Sequence, residues 1–124
     1  MPKVITAAVL AAALFFAGGA AAQDSETSND VKCVAVFSFA AAQQPEPTVL
    51  MGASMAVLYF LGRIEGRAPG FDIENGLRLE ASKLTGAKVK SELVRCGGVL
   101  KSKGEQLQAI GRSMKSMPDL KPDT

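Results

Sequence analysis

The sequence predicts an all-α fold: a small, disulfide-tied single domain of four to five helices that follows a cleaved signal peptide. Three observations predict it. Apolar residues in this 124-residue chain recur at helical steps of three and four, and no segment alternates as a strand would. Residues 1–22 have the parts of an export signal. The two cysteines, Cys33 and Cys96, both lie downstream of it. Two cysteines in an exported chain are most simply a pair. The loop they close spans most of the expected mature chain, and closing it is worth about 4 kcal/mol by chain entropy.

The export signal comes first. Lys3 supplies the positive start, Val4 to Phe16 is apolar apart from Thr6, and Ala20-Ala21-Ala22 offers an A-x-A cleavage site before Gln23. The apolar run is shorter than the roughly 20 residues a membrane-spanning helix needs. Lipidation would require a cysteine directly behind that run, and Asp24 to Asp30 separates it from Cys33. The expected location is therefore periplasmic or secreted. Residues 23–29 are polar and without period, and are expected to form a disordered leader.

The helical domain is expected over residues 30–117. Ser28, Asn29 and Asp30 can each cap a first helix, in which Cys33, Val34, Phe37, Ala40 and Ala41 recur at helical spacing up to Gln43. Pro45 and Pro47 end it. A second helix follows from about Thr48 to Gly66. One face carries Val49, Leu50, Ala53, Ala56, Val57, Phe60, Leu61 and Ile64, and the other carries Met51, Met55, Leu58 and Tyr59. A helix apolar nearly all round belongs inside a fold, so this one is expected to be central, wrapped by the others. It reads as too short to cross a bilayer.

Arg67-Ala68-Pro69-Gly70 is a turn. Asp72 caps a short third helix, Ile73 to Leu84, which Thr85-Gly86 breaks. In the last helix Leu93, Leu100, Leu107 and Met114 recur every seven residues, with Gly97, Gly104 and Gly111 between them. Glycine costs up to about 1 kcal/mol at an interior helical position. Three on one stripe therefore suggest a helix-packing seam that another backbone approaches. The phase runs unbroken across Gly97-Gly98, which favours one continuous helix. Met117-Pro118 ends it, and residues 118–124 are expected to be a disordered tail.

Composition excludes much chemistry. There is no histidine, which removes the commonest general base and metal ligand. No phosphate-binding glycine motif occurs. With no tryptophan and one tyrosine, the stacking platforms of single-strand binders are missing. The 14 Lys and Arg nearly balance the 12 Asp and Glu, and Lys3 belongs to the export segment. That balance argues against nucleic acid as a partner. Arg63, Glu65, Arg67 and Asp72, with Glu74, form the densest polar cluster. Arginines so near would keep the acids ionised, so these residues are expected to make ion pairs or bind a partner. No catalytic residue is assigned and the chain is expected not to be an enzyme. No cofactor or metal is expected either: Met51, Met55, Met114 and Met117 invite a Cu(I) reading, but core filling is the simpler role.

The order of signal, early cysteine, Tyr59-Phe60-Leu61-Gly62-Arg63-Ile64-Glu65-Gly66 and late cysteine resembles small exported helical proteins of bacteria. More distantly it resembles the HdeA-type fold of periplasmic acid-stress chaperones and of type VI secretion immunity proteins. The resemblance implies a four- or five-helix body with a disulfide near both ends of its core, and it carries over no binding residue. The expected role is protein binding or protection by a non-enzymatic periplasmic protein, of the inhibitor or chaperone type. The partner is unnamed by the sequence, and a homodimer is one form it takes. The alternative is a protein whose basic last helix rests on a membrane surface.

Overall fold

The computed structural model describes residues 17–44 and 46–118, with side chains from residue 25 onward. It is all helical among the described residues: α1 Ala17–Gln43, α2 Pro47–Arg67, α3 Ile73–Ser82 and α4 Gly86–Lys115. Most of the export segment, residues 1–16, and all of the expected tail beyond Pro118 lie outside the described residues.

Local chemistry explains the boundaries. Pro47 stands in the first turn of α2, where its missing N–H is no loss. Gly70 turns the chain toward α3 with φ 81°, a conformation glycine adopts freely. The Asp72 carboxylate accepts from the Asn75 N–H at 3.0 Å, and the Thr85 hydroxyl accepts from the Lys88 N–H at 3.4 Å. The Asp72 cap is the expected one, and Thr85, read only as a helix break, caps α4. α4 runs unbroken through Gly97-Gly98.

Three expectations need correction. Residues 23–29, read as a disordered leader, are helical in α1. Continuing the period of the first helix backward puts Thr27 and Asp30 on the face of Val34, and both are buried. Their burial explains why a polar stretch holds a helix. The central helix is α1, not α2. Val31 and the consecutive residues Cys33 to Val36 are all buried, which requires neighbours on every side. α1 packs against α2, α3 and α4, while those three scarcely touch one another. α2 buries only Ala53, Ala56, Phe60 and Ile64 and leaves its other side bare. It is 21 residues long and apolar enough to cross a membrane by length and composition, with only 22% of an apolar 18-residue window within it buried.

The core unites Val31, Cys33, Val34, Val36, Phe60, Ile64 and Cys96, with Ile73, Leu77 and Leu84 of the α3 region against it. Phe37 stacks on Phe60 at 6.2 Å between centroids. The disulfide Cys33–Cys96 ties α1 to α4 across 5.6 Å between Cα atoms, and both cysteines are fully buried.

Candidate functional site

The α1–α2 seam ends in a buried charge cluster. Asp30 is 4% exposed in its side chain and accepts from Arg63 Nε at 3.0 Å and Arg67 Nη1 at 3.0 Å. Helical spacing places those arginines one turn apart on α2, aimed at one carboxylate. Glu26 meets Arg67 Nε at 3.2 Å. The Arg63 guanidinium lies 5.7 Å from the centre of the Tyr59 ring and 5.9 Å from that of Phe60, a cation–π arrangement. Partial burial works against the Arg63 charge, but the Tyr59 hydroxyl and the Asp30 carboxylate outweigh it, and its pKa is raised.

The four residues read as a partner-binding cluster therefore divide. Arg63 and Arg67 are committed to Asp30, and Asp72 caps α3. Glu65 is exposed on the far side of α2, and Asp72 is exposed as well. Sequence reasoning gave Asp30 a capping role and missed it as the counter-ion. Its position on the helical face of Thr27 and Val34 was the available signal.

Two bare apolar faces stand out instead. On α2, Met51, Met55 and Leu58 are 69%, 66% and 68% exposed. At steps of four and three they form one outward line, which Gly62 and Glu65 extend. On α4, the stripe that carries Leu93, Cys96 and Leu100 against the core runs on as Leu107, Ile110 and Met114, all exposed. From Glu105 to Pro118 every side chain apart from Gly111 is exposed.

The glycine seam is not packed within the chain. A Cβ added at Gly97, Gly104 or Gly111 would meet nothing within 4 Å. At Gly104 and Gly111 the reason is that α4 leaves the body after Leu100. Nor do the methionines fill the core: Met51, Met55, Met114 and Met117 are all exposed. No group of three or more His, Cys, Asp or Glu is arranged to hold a metal ion among the described residues. No family model, curated protein or solved structure matches the chain.

Proposed function

We propose that the chain is an exported, non-enzymatic protein-binding protein that works through the outward face of α2. The observation that carries this reading is the line Met51-Met55-Leu58, three large apolar side chains about two-thirds exposed on one face. Contiguous apolar surface of this kind is costly in water and marks interaction sites. Methionine suits it, since the flexible thioether adapts to different partners. The disulfide fits an oxidising compartment. Cleavage after Ala22 would leave Glu26 near the start of α1, where the helix dipole favours carboxylates.

A photo-crosslinker at position 55, compared with one at exposed Lys90 on α4, tests the reading in periplasm. The expected result is a discrete adduct from position 55 alone, lost when Met51 and Leu58 become lysine. Equal adducts from both positions would overturn it. One partner at fixed stoichiometry marks an inhibitor. Many clients, with protection from aggregation in acid, mark a chaperone. A two-fold mass by light scattering marks a homodimer.

A second reading has its own observation. Lys101, Arg112 and Lys115 stand on the polar side of α4, away from the bare face Leu107-Ile110-Met114, the make-up of a helix that lies on anionic lipid. Co-sedimentation with anionic vesicles that weakens with salt would favour it. Sedimentation equal with neutral vesicles would remove it.

A further inference from the structure

We infer that the cavity between α1 and α3 is a binding site for an alkylammonium group, with Glu80 as its counter-ion. The cavity measures about 270 Å³ and is half open to solvent. Val31, Ala68, Phe71 and Leu79 make apolar walls, and Ser28 and Glu80 stand at its polar part. An apolar chamber with a few convergent polar groups is the usual form of a small-ligand site.

Glu80 is the unusual member. It is 7% exposed, and glutamate is seldom buried unless paired. Its Oε1 accepts from Ser28 Oγ at 3.2 Å and from Lys83 Nζ at 3.1 Å. A carboxylate has about four lone-pair positions, and among the described residues nothing donates to Oε2. No sealed side-chain oxygen lacks a partner, so Oε2 is not shut off from solvent. Lys83 belongs to the wall of a second, lysine-lined cavity on the other side of Glu80 and not to the apolar one. The apolar chamber thus meets a carboxylate with one oxygen unused among the described residues, while Lys83 holds the other oxygen from outside the chamber. A chain of a few methylenes ending in an ammonium matches both parts. A carboxylate-ended chain matches only the walls.

The wall is also shaped for space. A Cβ at Gly76 would stand 2.8 Å from Phe71 Cε1 and Cζ. Phe71 lies flush on α3 only because position 76 has no side chain. The site stands apart from the α2 surface and does not depend on it.

Backbone-amide NMR titration with n-pentylammonium, pentanol and pentanoate tests the assignment. The expected result is saturable shifts at Thr27, Ser28, Phe71, Gly76 and Glu80 with pentylammonium, binding at least tenfold weaker for pentanol, and none for pentanoate. Glu80→Gln keeps the shape and should weaken the amine at least tenfold. Lys83→Gln, which removes the competing ammonium, should tighten it severalfold. Nα-acetyl-lysine amide separates the sources. The same shifts from it point to a lysine side chain of a partner protein, and their absence beside pentylammonium binding points to a free amine. Pentanoate binding as well as the amine, Glu80→Gln binding unchanged, or shifts spread over surface acids would each overturn the proposal.

Discussion

At the residue scale, one carboxylate decides how α2 sits on α1. Asp30 is buried and faces two guanidiniums. Removing one member of a buried pair costs about 3–5 kcal/mol. Arg63 is a third exposed, so water recovers part of that for the orphaned arginine. Asp30→Ala should therefore lose about 2 kcal/mol, read as a lower urea midpoint. A double-mutant cycle with Arg67→Ala should give a coupling of about 1 kcal/mol; additive effects would show that the contact contributes nothing. The raised pKa of Arg63 fixes a sign. A base whose pKa rises on folding contributes stability fully below its unfolded value, and that contribution is lost only as pH climbs through the folded one. For arginine this lies beyond the range where the protein works, so alkali up to about pH 11 should leave the arginine side of the cluster intact.

At the element scale, the caps, turns and helix periods were legible, and partner choice was not. Asp72 and Thr85 cap within three residues of themselves, so the sequence shows both partners side by side. Asp30 and Arg63 lie 33 positions apart, and no local pattern links them. The all-round apolar α2 looked central for a related reason: hydropathy reports what a helix prefers to touch, not what is there to touch it. α1, the true hub, carries the polar run Gln23 to Asp30, which hid its burial. The same limit misled the reading of the glycines. Their spacing on α4 is regular, yet Gly104 and Gly111 face open space. Each should accept alanine and gain up to about 1 kcal/mol from helix propensity, seen as greater helicity on heating. A Gly104→Ala, Gly111→Ala chain that is less stable, but only at concentrations where it associates, would restore the seam as an intermolecular contact. Met51→Lys and Leu58→Lys should shift the urea midpoint little, within about 0.5 kcal/mol, since both sites are exposed.

At the scale of the whole molecule, three helices hang on one. Because α2, α3 and α4 meet chiefly through α1, the loss of any one attachment need not open the others. α4 is the least attached. It touches the body near Cys96 and Arg95, whose Nη2 donates to the Asn29 carbonyl at 2.9 Å, and beyond Gly104 it stands in solvent. The disulfide closes a loop between positions 63 apart, worth about 4 kcal/mol by chain entropy. That is large beside the 5–15 kcal/mol of an ordinary domain. Cys33→Ser with Cys96→Ser should therefore cost on the order of 4 kcal/mol. The loss should fall unevenly. Hydrogen exchange should speed first and most in α4, while the α1–α2 pair, held by Phe37 on Phe60 and by Asp30, keeps the slowest amides. Equal acceleration in α2 and α4 would mean that the four helices open as one unit, and that α1 is a neighbour among equals and not a hub.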